Sequence, residues 1–83
     1  MSVVGWVLIE TEVGRARAVA EAVAAIRYPG LQVLAADTVT GPHDVIARFE
    51  AADLDTFNSA MESTVEAIPG VEHTVTCMAF HAG

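Results

Sequence analysis

The sequence predicts an α+β fold made of two consecutive strand–helix–strand units. Short runs rich in β-branched residues begin and end each half of the chain, and a longer segment with helical apolar spacing lies between them. The halves match segment by segment: residues 7–10 with 45–47, Pro29 and Gly30 with Pro69 and Gly70, and residues 38–40 with 74–76. This βαββαβ order predicts a ferredoxin-like arrangement, with two helices on one face of a four-stranded antiparallel sheet.

Two helices are predicted from apolar residues that recur every three or four positions. The apolar faces comprise Val19, Ala22, Val23 and Ile26 in the first helix, and Leu54, Phe57, Met61, Val65 and Ile68 in the second. Asp53 is expected to cap the second helix, because a short carboxylate accepts hydrogen bonds from the first N–H groups of a helix. Both helices are expected to end at the Pro-Gly pairs, residues 29–30 and 69–70.

The first and last strands are expected to be buried on both faces. Residues 3–9 are apolar throughout, whereas a strand with one wet face alternates apolar and polar side chains. We expect Trp6 and Leu8 to be divided between the two faces of the sheet. In the last strand, one side carries Val75, Cys77 and Ala79, and the other carries Met78 and Phe80. Two such sheets packed face to face would form a dimeric α+β barrel.

Length and composition predict one small domain, residues 1–83, that associates with itself. The chain is 53% hydrophobic with a mean hydropathy of +0.45, more apolar than a small monomer can comfortably bury. No apolar run approaches the ~20 residues of a membrane span, and no signal peptide is recognisable. One cysteine, Cys77, cannot form an internal disulfide and is expected in the core. These features favour a soluble cytoplasmic oligomer.

The charge balance excludes several classes of function. Four arginines, no lysine and eleven acidic residues give a net charge of -7. Binding to DNA requires cationic side chains that neutralise the phosphates, and this acidic surface would repel the phosphates. The absence of lysine also removes Schiff-base catalysis and the P-loop type of phosphate site.

The segment 38–47 is the best candidate for a binding site. Gly41 and Pro42 specify a reversal between two β-rich runs, and Asp44 stands at the first residue of the second run. A carboxylate beside unpaired backbone N–H groups could hold a small zwitterion, with Asp44 taking the ammonium and the amides the carboxylate. The alternative is that Asp44 only braces the turn by bonding its own backbone. Both interpretations remain open at this point.

Three motifs closely resemble the effector-binding (RAM) domain of the Lrp/AsnC transcription regulators. They are Thr-Gly-Pro-His-Asp-Val-Ile-Ala at 40–47, Val-Leu-Ile-Glu-Thr-Glu-Val-Gly at 7–14, and Ala-Ile-Pro-Gly-Val-Glu-His-Thr-Val-Thr at 67–76. In that family, dimers join through the turns between the second and third strands into larger rings, commonly octamers. The effector, usually an L-amino acid, lies where two dimers meet. The resemblance implies a ligand site formed by Thr40, Gly41, His43, Asp44 and Thr76.

The resemblance also implies a partner. No helix-turn-helix segment precedes the matching motifs, so we expect a stand-alone RAM domain that could assemble with a full-length regulator of the same family. Between Pro29 and Thr40 the chain is about two residues longer than the usual family pattern, which bears on the register of the second strand. The expected function is non-enzymatic sensing of an amino acid or related metabolite, with no cofactor.

Other functions are weaker on the residues present. A cofactor-independent enzyme of the small monooxygenase type would use Trp6, Asn58 and His73 inside the barrel. An ACT-like amino-acid-binding module shares the βαββαβ order but pairs its sheets side by side. A metal site is disfavoured, because His73 and His81 on one strand lie roughly 26 Å apart at about 3.3 Å per residue. His43 and His81 are too few ligands for a metal site.

The net charge of -7 predicts that the chain does not bind DNA. The purified 83-residue chain should not bind random duplex DNA at physiological salt, because a protein of net charge -7 gains nothing from counterion release. Fluorescence anisotropy of a labelled duplex would measure this. Binding that weakens as salt is raised would contradict the prediction. Purified protein is essential, since an effect in cells could arise through a partner regulator.

Overall fold

The computed structural model describes residues 2–80, which form a single four-stranded antiparallel sheet and two helices. The elements are β1 (Val3–Thr11), α1 (Ala16–Ala24), β2 (Leu31–Thr38), β3 (Val45–Ala51), α2 (Leu54–Ser63), a 3₁₀ turn (Val65–Ala67) and β4 (Val71–Ala79). The strand order is β2-β3-β1-β4, with β2 and β4 at the edges. The predicted ferredoxin-like βαββαβ fold is confirmed.

The hydrophobic core lies between the helices and one face of the sheet. Its fully buried side chains come from alternate positions of β1 and β3 and from one stripe of each helix: Val7, Ile9, Val45, Ala47, Phe49, Val19, Val23 and Phe57. Phe49 and Phe57 meet edge to face with ring centroids 6.2 Å apart, the arrangement that aromatic pairs prefer. The predicted apolar stripes of both helices therefore face this core, although Leu54 at the start of α2 is half exposed.

Gly5 lets α2 approach β1 closely. An added Cβ at Gly5 would lie 2.5 Å from Cζ and 2.7 Å from Cε2 of Phe57. Phe57 is fully buried, so its ring has little room to move away. A side chain at this one position of β1 would therefore push α2 off the sheet.

The helices end earlier than the Pro-Gly pairs, so that prediction is wrong. α1 ends at Ala24, and after α2 ends at Ser63 the chain makes the 3₁₀ turn. Gly30 and Gly70 have φ of +81° and +98°, and each directly precedes a strand. The Pro-Gly pairs thus turn the chain into β2 and β4 rather than stop the helices. Within residues 2–80, neither helix has the length and apolarity needed to cross a membrane.

The predicted cap of α2 is confirmed. The Asp53 side chain accepts a hydrogen bond from the Thr56 N–H at 2.7 Å. This bond to the charged carboxylate lowers the pKa of Asp53 below its ordinary value. A lowered pKa in the folded state means that the cap stabilises the protein above the ordinary pKa. The contribution is lost as the pH falls through the lowered value.

The second strand pairs irregularly with β3, in the segment that is longer than the usual family pattern. Its pairing with β3 shifts between Val33 and Ala35, so Leu34 is an extra residue in a β-bulge. β2 ends at Thr38 and β3 begins at Val45, which leaves residues 39–44 as a six-residue loop. Val39 and Thr40, expected in a strand, belong to this loop.

The face of the sheet away from the helices is uncovered in the single chain. We call it the open face; its central residues are Val4, Trp6, Leu8, Ile46, Arg48, Val75, Cys77 and Ala79. Trp6 and Leu8 both lie on it, so the expectation that they divide between the faces is wrong: residues two apart in a strand share a side. The expectation of a buried Cys77 is also wrong for the single chain, because Cys77 is exposed.

Replacing Gly5 by alanine should destabilise the fold. The new Cβ overlaps the Phe57 ring, and overpacking of this kind costs about 1–3 kcal/mol of unfolding free energy. Chemical denaturation would measure the loss. Gly5→Ala combined with Phe57→Leu is the control, because the smaller side chain makes room and the two costs should not add. If the losses of unfolding free energy from the two substitutions simply add, the new Cβ at position 5 does not overlap the Phe57 ring.

Candidate functional site

The loop of residues 39–44 is held at its base by backbone hydrogen bonds. Val39 donates its N–H to the Asp44 carbonyl at 2.9 Å, and Asp44 donates its own N–H to the Ile9 carbonyl of β1 at 2.9 Å. Gly41 has a φ of +145°, a conformation that side-chain-bearing residues rarely adopt. The loop therefore projects from a fixed base at one end of the sheet.

Asp44 also ties the loop to β1 through its side chain. Its Oδ2 atom accepts a hydrogen bond from the Thr11 N–H at 2.8 Å, in a partly buried position. The carboxylate is thus a brace, but it braces the neighbouring strand and not its own turn. The second oxygen, Oδ1, accepts no hydrogen bond from residues 2–80. Oδ2 therefore holds the loop to β1, and Oδ1 has no hydrogen-bond donor within residues 2–80.

The tip of the loop carries unpaired backbone donors. The N–H groups of Thr40, Gly41 and His43 donate no hydrogen bond to any described residue, and Pro42 has no N–H. A depression of about 670 Å³ lies beside them, lined by Thr38, Val39 and Thr40 and open to solvent. Thr40 and Gly41 are exposed, while His43 and Asp44 are half buried. Unpaired amides next to a carboxylate are complementary to a molecule that carries both charges.

Thr76 does not join this cluster within one chain. Thr76 lies on β4, opposite Val7 of β1. The loop lies at the far side of β1, where Val45, the residue after Asp44, pairs with Ile9. β4 and β3 are separated by β1, which places them about 10 Å apart at the usual strand spacing. Four of the five residues expected at the site, Thr40, Gly41, His43 and Asp44, are therefore together, and Thr76 is apart.

The residues of the enzyme alternative are not brought together either. Trp6 and His73 lie on the open face, but Asn58 is exposed on α2, which covers the opposite face. Among residues 2–80, no three His, Cys, Asp or Glu side chains are placed to hold a metal ion. His81, one of the histidines considered from the sequence, lies outside the described residues.

Two residues of interest were missed in the sequence. Thr11 contacts Asp44 only through its backbone N–H, which nearly every residue type has, so the sequence could not have indicated this contact. Arg48 places its guanidinium carbon 5.2 Å from the centroid of the Trp6 ring. Arg48 stands out in the sequence as the one charged residue among Val45, Ile46, Ala47 and Phe49, and that pattern could have drawn attention to it.

These features describe a small α+β domain with a candidate ligand site at one hairpin loop. The chain belongs to the Lrp/AsnC ligand binding domain family, whose model matches residues 5–82. The loop motif at 40–47 lies inside the matched region. The family expected from the three motifs is therefore confirmed.

Solved structures with the same fold include proteins of similar length and longer regulators. TTHA0845 from Thermus thermophilus is 32% identical, with a TM-score of 0.85 over 98% of this chain and 96% of that protein. AsnC from E. coli is 12% identical, with a TM-score of 0.84 over 96% of this chain and 52% of AsnC. The transcriptional regulator NMB0573 from Neisseria meningitidis, solved as a complex with L-Met, is 18% identical. Its TM-score is 0.77 over 95% of this chain and 50% of that one.

The chain thus spans about half the length of these two regulators. At such low identities, the likeness to them concerns the fold alone. Comparison with curated proteins finds no match.

Proposed function

We propose that this protein binds a small amino acid at the loop of residues 39–44 and acts as a non-enzymatic sensing module. The observation that carries the proposal is that N–H groups without a partner at Thr40, Gly41 and His43 lie near the Asp44 carboxylate, whose Oδ1 accepts no hydrogen bond within residues 2–80. Membership of the Lrp/AsnC ligand binding domain family supports it. The L-Met complex of the Neisseria meningitidis regulator is a precedent for an amino-acid ligand on this fold.

The chemistry of the loop suits an α-amino acid. The ligand ammonium donates to Oδ1 of Asp44, while Oδ2 remains bonded to the Thr11 N–H. The ligand carboxylate accepts hydrogen bonds from the loop amides, whose segment is anchored at its base by the bonds of Val39 and Asp44. Charge-assisted hydrogen bonds of this kind are about twice as strong as neutral ones. His43 borders the loop and contacts the ligand side chain in this proposal.

A complete site requires a second copy of the chain. Thr76 lies beyond β1 from the loop, so it contributes to a ligand only if it comes from a neighbouring protomer. Joining dimers through their 39–44 loops would supply it, and a ring of four dimers, an octamer, is the assembly we propose. Ligand binding then stabilises the contact between dimers, because the ligand bridges residues of both.

The dimer itself is proposed to form through the open face. Trp6 and Val75 on this face are 42% and 49% exposed in the single chain. An apolar surface of this kind on a small domain is typical of an interface between subunits. Two sheets packed face to face give the dimeric α+β barrel expected from the sequence. Assembly of mixed rings with a full-length Lrp/AsnC regulator is the proposed route to an effect on transcription.

Replacing Asp44 by asparagine should weaken ligand binding about ten- to a hundredfold, because a charge-assisted contact is worth about 1.5–3 kcal/mol. Asparagine retains an acceptor for the Thr11 N–H, so the brace survives. Thermal shift with each of the twenty amino acids, starting from L-Met, identifies the ligand. Binding to the folded state raises its stability by about 2.7 kcal/mol at a hundredfold excess over Kd. Titration calorimetry then compares the variants.

Two further variants separate binding from bracing. Asp44→Ala removes both roles and should lower the melting temperature as well as affinity. Gly41→Val should harm the site differently, because a β-branched residue resists a φ of +145°. If Asp44→Asn keeps full affinity, Asp44 is only a brace. If no loop variant alters any ligand response, the site lies elsewhere, and the barrel interior around Trp6 is the next place to test.

Placing a charge on the open face should dissociate the dimer. Trp6→Asp or Leu8→Asp buries two carboxylates per dimer, and each burial costs several kcal/mol of association free energy. Since about 1.4 kcal/mol corresponds to a tenfold change in Kd, the dimer Kd should rise more than a hundredfold. Sedimentation velocity measures this. Val13→Asp is the matched control, because Val13 is fully exposed in the loop after β1. Wild-type assembly by both open-face variants would place the interface on another surface.

A further inference from the structure

Arg48 lies in the middle of the open face. Of the four arginines it alone belongs to a strand, since Arg15, Arg17 and Arg27 lie in or beside α1. Arg48 pairs with Trp6 of β1 on one side and with Ala35 of β2 on the other. Its guanidinium carbon sits 5.2 Å from the Trp6 ring centroid, within the range of a cation–π contact. A permanent positive charge therefore occupies a surface that is otherwise largely apolar.

Arg48 has no ionic partner among the residues that the structure describes, 2–80. Among residues 2–80, the only ion pair within 4.0 Å joins Arg17 and Glu21 on α1. The Trp6 ring offers its face but accepts none of the five guanidinium N–H groups in a conventional hydrogen bond. In the single chain, water satisfies these groups, because Arg48 is exposed.

Asp37 is the exposed acid of the same face, and it accepts no hydrogen bond within residues 2–80. It lies opposite Ile46 and therefore diagonally across from Arg48, yet no ion pair within 4.0 Å joins the two side chains. The other two acids of this face, Glu10 and Glu50, are half buried, and the Glu50 carboxylate accepts the Ser2 hydroxyl at 2.7 Å. The open face thus presents one exposed cation and one exposed anion that form no ion pair within residues 2–80.

This inference rests on the face-to-face dimer proposed above. Covering the open face removes the water around Arg48, and an unpaired buried guanidinium would oppose association. In a two-fold symmetric interface, any contact from one copy to the other occurs twice. We propose that Arg48 of each copy binds the Asp37 carboxylate of the second copy. These two ion pairs compensate the charges of Arg48 and Asp37 in the covered interface and fix the register in which the two sheets pack.

A charge-exchange experiment tests the pairing between chains. Arg48→Glu alone and Asp37→Arg alone should each weaken the dimer by about thirtyfold or more, since removing one partner of a buried charge pair leaves the other unpaired. Mixing the two variants should restore association. In the mixed dimer, the unchanged Arg48 meets the unchanged Asp37, and the two substituted side chains meet with opposite charges. Native mass spectrometry separates mixed from single-variant dimers by mass, and sedimentation equilibrium gives their Kd.

Controls distinguish the possible failures. Arg27→Glu makes the same charge change in the loop after α1 and should leave the dimer unaffected. The double variant Arg48→Glu/Asp37→Arg should dimerise with itself. If the double variant dimerises but the mixture does not, the pair forms within one chain and the inference is overturned. If both single variants dimerise like the wild type, the inference fails while the proposed dimer stands. A monomeric wild type would refute the proposed dimer, and the inference with it.

Discussion

Two short helices can cover only one face of a four-stranded sheet, and this constraint shapes the whole molecule. Nine- and ten-residue helices pack over one face of the sheet, where Phe49 and Phe57 meet at the core. Gly5 makes the close approach of α2 possible, because any side chain there would overlap Phe57. The buried core side chains lie on this side. The opposite face leaves Trp6 and Val75 half exposed, and it is the surface that the proposed dimer would cover.

The same layer arrangement explains why the candidate binding site is a loop. The helices and the sheet enclose a core of buried side chains, and the depressions beside Thr40 and beside Tyr28 are both open to solvent. What remains for recognition is backbone at the ends of strands, where ladder hydrogen bonding stops. In the loop 39–44, three N–H groups donate no hydrogen bond within residues 2–80, while Oδ2 of Asp44 accepts a hydrogen bond from β1. Asp44 thus holds the base of the loop through one carboxylate oxygen and leaves the other oxygen for the ligand proposed above.

Charge acts on assembly and on function in different ways. The net charge of -7 opposes nucleic-acid binding by this domain. On the open face, however, a single cation stands over Trp6. An apolar interface alone would tolerate several registers between two sheets. A fixed cation and a fixed anion favour only the register in which they meet, at the cost of removing both from water.

The sequence by itself determined the fold class, because apolar spacing and the repeated strand–helix–strand order act locally and agree with each other. It also determined the Asp53 cap, which depends on a residue three positions away. It predicted poorly where helices end, since the Pro-Gly pairs serve strand entry instead. The tertiary structure decided everything that joins distant segments: the Leu34 bulge, the bond from Thr11 to Asp44, and the contact of Arg48 with Trp6. Those contacts link residues more than ten positions apart or depend on strand register, and no local pattern specifies a register. For the same reason, only the tertiary structure decided that Thr76, on β4, lies apart from the loop.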